Sequence, residues 1–197
     1  MKVVVIGGQS RNIGKTSLAC GVIAGLPGRA WTAVKITQFG HGLCAADGKP
    51  CDCATDDPEH PYGISREMDR DGTSDTSRLL RAGARTVYWM RVLQGQLEEA
   101  MPMLHERLAG SENVVIESNS ILDFLDPDVY VPVVDASVED YKASARRLLP
   151  RADAYAVVGG AEAAKLAAYG ARPRFAITPP TYCSPELVEF VRNGLGL

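Results

Sequence analysis

The apolar run Val3-Val4-Val5-Ile6 leads straight into Gly7 and the stretch Gly8-Gln9-Ser10-Arg11-Asn12-Ile13-Gly14-Lys15-Thr16. Behind it, Ser17-Leu18-Ala19-Cys20-Gly21-Val22-Ile23 carries apolar residues at helical spacing. A strand, a glycine-rich turn and a helix, in that order, commit the chain to an α/β unit. They also build a concavity into which the backbone N–H groups of the turn and first helical turn point. The positive end of the helix dipole adds to their pull on an anion. Lys15 can then reach the β- and γ-phosphates of a nucleoside triphosphate, and the Thr16 hydroxyl can ligate Mg²⁺. The bland alternative, a glycine turn with a chance lysine, does not explain why the strand and helix stand where the cradle needs them. Gly8, Gln9, Ser10, Arg11, Asn12, Ile13, Gly14, Lys15, Thr16 and Ser17 are therefore the expected nucleotide-contacting residues.

At 197 residues the chain suits one domain with a sizeable core, here taken as residues 1–197. Hydrophobic residues make up 46% and charged residues 23%, the balance of an ordinary soluble globular protein. The net charge of −3 comes without a basic tract or stripe, so neither nucleic acid nor an anionic membrane is an expected partner. No charged n-region precedes the first strand, and no apolar run approaches spanning length. Five cysteines without a secretory signal point to reduced thiols in the cytoplasm.

Apolar runs and helical patterns alternate along most of the chain. Strands are expected at Lys2–Gly7, Ala30–Ile36, Thr86–Arg91, Asn113–Glu117, Tyr130–Asp135, Ala154–Val158 and Arg174–Ile177. Helices are expected at Lys15–Ala24, Asp75–Ala82, Leu93–Leu108, Val138–Leu149, Ala161–Ala168 and Pro185–Asn193. Ser184 before Pro185 reads as an N-cap, and Thr73, Ser74 or Asp75 caps the second helix. Such alternation predicts a three-layer α/β fold, a mainly parallel sheet of about seven strands with helices on both faces. Its ligand belongs beyond the carboxyl ends of the strands, where the glycine-rich loop lies.

Residues 38–72 break the rhythm, with Gly, Asp, Pro, Cys and His dominating. A structureless stretch this long inside a compact domain is usually functional or held by something else. His41, Cys44, Cys51, Cys53 and His60 are candidate Zn²⁺ ligands there, because thiolates and imidazoles from a short segment suit its tetrahedral preference. The alternative is free or redox-active thiols. Cys20 and Cys183 read as helix core and strand-end residues without a role.

The five residues between Gly8 and Gly14 give a loop that resembles those of dethiobiotin synthetase and the cobyrinic acid a,c-diamide synthases. MinD-type relatives carry an additional lysine where this chain has Ser10, which counts against a MinD-like, dimer-sandwiched ATPase. Gly72, Asp75 and Ala82-Gly83-Ala84 together resemble a segment of MobB, the molybdopterin-guanine dinucleotide accessory protein. Lys35, near the end of the second strand, also has a counterpart in MobB and dethiobiotin synthetase. In these families the strand matching Asn113–Glu117 ends Glu-Gly; here Glu117 is followed by Ser118-Asn119-Ser120. The resemblance covers roughly the first 120 residues. It implies a P-loop NTPase of the cofactor-biosynthesis branch that uses Mg²⁺ with ATP or GTP.

On this reading Lys15, Glu117 and Lys35 are the candidate catalytic residues, and Thr16, Glu117 and Asp75 the candidate Mg²⁺ ligands. Asp135 is a further strand-end carboxylate. No Asn-Lys-x-Asp segment occurs, which leaves the base unassigned. The histidines His41, His60 and His105 lack the setting of a nucleophile triad. Two other functions compete: an ATP-dependent carboxylate-activating synthetase in which Lys35 holds the acid, and a nucleotide-switched metal-delivery module built on the thiol loop. A cofactor-biosynthesis enzyme and a second copy of the chain are the candidate protein partners.

Overall fold

The computed structural model describes residues 1–40, 61–135, 137, 143–159 and 170–197. Among them, eight strands form one sheet: β1 Lys2–Gly8, β2 Thr32–Phe39, β3 Tyr62–Arg66, β4 Thr86–Leu93, β5 Asn113–Glu117, β6 Val129–Asp135, β7 Tyr155–Val158 and β8 Arg174–Ile177. The order across the sheet is β3-β4-β2-β5-β1-β6-β7-β8. All pairings are parallel except β3 against β4. β1 thus lies between β5 and β6, where connections leave in opposite directions and ligands of such sheets bind. β2 lies between β4 and β5, so Lys35 sits on an interior strand.

Side-chain alternation divides the core in two. Val4, Ile6, Val115, Val131 and Val133 face α1 (Lys15–Gly25), α2 (Asp75–Arg81) and α5 (Pro185–Leu195). Val3, Val5, Val114, Ile116 and Tyr130 face α3 (Leu97–Leu108), α4 (Ala143–Leu148) and the short turns Ser120–Asp123 and Leu149–Arg151. β1 is buried on both faces, which is why it reads as an unbroken apolar run. Leu18, Val22 and Ile23 press α1 onto the sheet, each worth about 1.5–3 kcal/mol of burial. The caps fall as expected: Ser74 Oγ accepts the Ser77 N–H at 3.0 Å and Ser184 Oγ the Leu187 N–H at 3.3 Å.

The structure departs from expectation in three places among the described residues. β2 runs from Thr32 to Phe39, three residues past its expected end at Ile36. β3 lies inside the stretch without a period and adds an eighth, antiparallel strand at the edge. α3 begins at Leu97, because β4 continues to Leu93 and Gly95, with φ of 91°, turns the chain between them. The expected helix Ala161–Ala168 and the start of the one at Val138 lie outside the described residues. No helix among the described residues is long and apolar enough to cross a membrane.

Candidate functional site

β1 delivers the chain to the carboxyl edge of the sheet, and the glycine-rich loop turns there into α1. Gly7 must be glycine, because a Cβ would run into Asn119 Oδ1 and the Tyr130 ring. That close approach lets the Asn119 amide pair with the Gly8 backbone: the Gly8 N–H donates to Asn119 Oδ1 and Asn119 Nδ2 donates to the Gly8 carbonyl, each at 2.8 Å. The Gln9 N–H donates to the Val133 carbonyl at 2.9 Å, and the buried Gln9 side chain accepts the Asp135 N–H through Oε1 at 2.9 Å. The start of the loop is thereby clamped to β5 and β6. The N–H groups of Gly8 and Gln9 are spent on that clamp. Asp135 itself accepts from the Ser137 N–H and hydroxyl in its own turn.

Further along, Asn12 (φ 54°) and Gly14 (φ 101°) adopt left-handed backbone that lifts the loop around a concavity. A Cβ on Gly14 would also meet the Tyr182 ring, which packs on the loop from the segment after β8. The first intrahelical bond of α1 runs from the Leu18 N–H to the Gly14 carbonyl. The N–H groups of Lys15, Thr16 and Ser17 precede it and have no helical acceptor. Lys15 folds back across Gly8, its ammonium donating to the Ser10 carbonyl at 3.1 Å. Burial pushes its pKa down, with the Glu117 charge opposing and Lys35 reinforcing the shift. A desolvated cation beside N–H groups that lack a helical acceptor suits a polyanion.

Behind the loop the expected residues converge on one connected polar network. The Thr16 hydroxyl donates to Glu117 Oε2 at 2.7 Å. The Lys35 ammonium bridges Glu117 Oε1 at 3.1 Å and Asp75 Oδ2 at 2.7 Å. Arg78 pairs with Asp75 Oδ1 at 3.1 Å and donates to Ser17 Oγ at 2.6 Å, returning the network to α1. Register explains part of this, since Lys35 and Glu117 are opposite one another on β2 and β5. Burial alone would lower the Lys35 pKa, but the charges of Glu117 and Asp75 outweigh it and hold it above its ordinary value. Burial likewise works to raise the Asp75 pKa, and Lys35 with Arg78 overrides it, so that carboxyl is held low.

Thr16, Glu117 and Asp75 present only hard oxygen donors, the chemistry Mg²⁺ prefers. The Thr16 hydroxyl spends its one proton on Glu117 and keeps lone pairs for a cation. These residues therefore fit the ion. Sequence reasoning did not find Asn119 or the Ser17–Arg78 contact. Arg78 was legible only as a residue at helical spacing, and Asn119 only as the second residue after Glu117. Cys20, within α1, and Cys183, packed against that helix at Gly21, are free thiols, and burial pushes both pKa values up to about 11. His41, Cys44, Cys51, Cys53 and His60 lie outside the described residues.

No family model matches the chain, and no curated protein matches its sequence. Among solved structures, the chain is similar to HypB from Helicobacter pylori in complex with nickel, at 13% identity and a TM-score of 0.49, covering 98% of this chain and 84% of that one. It is also similar to a chain of the MinC:MinD cell division protein complex of Aquifex aeolicus, at 15% identity and a TM-score of 0.45, covering 98% and 86%.

Proposed function

We propose that residues 1–197 form one P-loop NTPase domain that binds a Mg²⁺-bound nucleoside triphosphate, ATP or GTP, between Ser10 and Ser17 and cleaves its terminal phosphoanhydride. The observation that carries this reading is the convergence of Lys15 and Thr16 from the loop with Glu117 from β5 and Asp75 from α2. Lys15 and the N–H groups at the start of α1 hold the phosphates. Thr16, with Glu117 and Asp75 behind it, would hold Mg²⁺, which supplies charge neutralisation across the β- and γ-phosphates when bound. Glu117 orients the attacking group, and Lys35 holds the two carboxylates in place. Cleavage is slow alone and faster with an acceptor or protein partner.

The segment Gly72, Asp75 and Ala82-Gly83-Ala84 supports the finer reading, a MobB-like accessory protein of cofactor biosynthesis in the cytoplasm, acting with a biosynthetic enzyme or a second copy of itself. The metal-delivery alternative rests on residues 41–60 and gains no support from the described ones. The test is Glu117→Gln. Triphosphate affinity should stay within about an order of magnitude while steady-state hydrolysis slows by roughly a hundredfold or more. Unchanged hydrolysis in a variant that still binds would leave Glu117 with a structural role only.

A further inference from the structure

α2 covers only part of the sheet face on which the network lies. Its Leu79 and Leu80 pack over Val87, at the amino end of β4. Two and four residues further along the same face come Trp89 and Arg91, both exposed. Trp89 is 38% accessible, whereas the other tryptophan, Trp31, is 1% accessible. An exposed indole offers a flat apolar surface against which a planar ring can pack.

The patch is organised. Trp89 Nε1 donates to Thr37 Oγ1 at 3.1 Å, laying the indole across toward β2. The Arg91 guanidinium sits 5.0 Å from the indole centroid. Stacked this way, a guanidinium keeps its in-plane N–H fork for a planar oxyanion. Among the described residues Arg91 makes no ion pair. Gly63 lies opposite Arg91 on β3, and among the described residues a Cβ there would meet nothing within 4 Å, so no described side chain fills the space beside the fork. Trp89 is also the register partner of Lys35, which places the patch one strand from the network, about 5 Å across the sheet.

We propose that this patch binds the second substrate, a flat-ringed carboxylate that stacks on Trp89 and is gripped bidentately by Arg91. Its role as the acceptor beside the triphosphate rests on the nucleotide reading; the binding itself does not. Benzoate is the probe, with benzyl alcohol as its uncharged counterpart, and Trp89 fluorescence is the readout, since Trp31 is shielded. Benzoate should change the emission saturably in the millimolar range and benzyl alcohol should not. Arg91→Ala should weaken benzoate about tenfold or more, Arg91→Lys less, and Trp89→Phe should remove the signal. Triphosphate binding by calorimetry should be unchanged in Arg91→Ala and Arg91→Lys. No saturable response, or equal benzoate affinity in the parent and the two arginine variants, overturns the proposal. Saturable benzoate binding in a protein that binds no triphosphate would instead uphold the carboxylate site and refute the nucleotide reading.

Discussion

Replacing Lys35 by Met removes a cation while keeping most of its length, and the structure indicates what that costs. Glu117 is 5% exposed and Lys35 20% exposed, so their pair is largely withdrawn from water. Removing one partner of a buried pair typically costs 3–5 kcal/mol, because the other charge is left uncompensated. Residual exposure of Lys35, and the 39% exposure of Asp75, place the expected loss lower, at about 2–3 kcal/mol. For a chain of this size that is a fall in Tm of roughly 4–12 °C. The loss should depend on pH. In the parent, Asp75 is held low, so its contribution is present above its unfolded value and fades only as pH falls through the lower folded one. Lys35 is held high, so its contribution is present below its unfolded value and fades only as pH rises through the higher folded one. Across the neutral range the parent network is therefore constant. Urea unfolding of both proteins should therefore show the full gap at pH 7 and pH 8 alike, narrowing only in acid as Asp75 takes up its proton. Millimolar Mg²⁺ should recover part of it, as a second cation for the same oxygens. A gap under about 0.5 kcal/mol at both pH values would refute the reasoning, since surface substitutions lie in that range.

Two further outcomes follow from the loop and its surroundings. Asn119→Ala strips two partners from the Gly8 backbone, so unfolding free energy should drop by about 1–3 kcal/mol and triphosphate affinity should weaken with it; full affinity would show that the clamp is dispensable. Protein purified without chelator should carry about one zinc per chain on Cys44, Cys51 and Cys53 with His41 or His60, at Zn–S distances near 2.3 Å by X-ray absorption. Elemental analysis without metal, together with free reaction of all three thiols, would contradict that site.

What was legible in the sequence is what local pattern controls. β1 reads as a strand because both its faces are buried, and the glycine-rich loop reads as a cradle because its residues act within one turn. Glu117 stood out because it closes β5, whereas Lys35, expected near the end of its strand, lies within β2 and meets Glu117 through the register of the two strands. β3 was missed for the opposite reason. Tyr62–Arg66 is five residues long with a glycine inside, only Tyr62 and Ile64 pack toward the core, and its strand character comes from pairing with β4. The Ser17–Arg78 contact joins positions 61 residues apart, and Asn119 reaches Gly8 across 111, separations at which no periodicity carries information.

The central claim is tested most directly by titrating the parent, Lys15→Ala and Thr16→Ala with non-hydrolysable analogues of ATP and GTP in a calorimeter, with and without Mg²⁺. The parent should bind at least one of the two, and more tightly with Mg²⁺. Lys15→Ala should show no measurable binding while melting as a folded protein, and Thr16→Ala should bind without the Mg²⁺ dependence. A folded Lys15→Ala variant that binds the analogue as tightly as the parent would contradict the account.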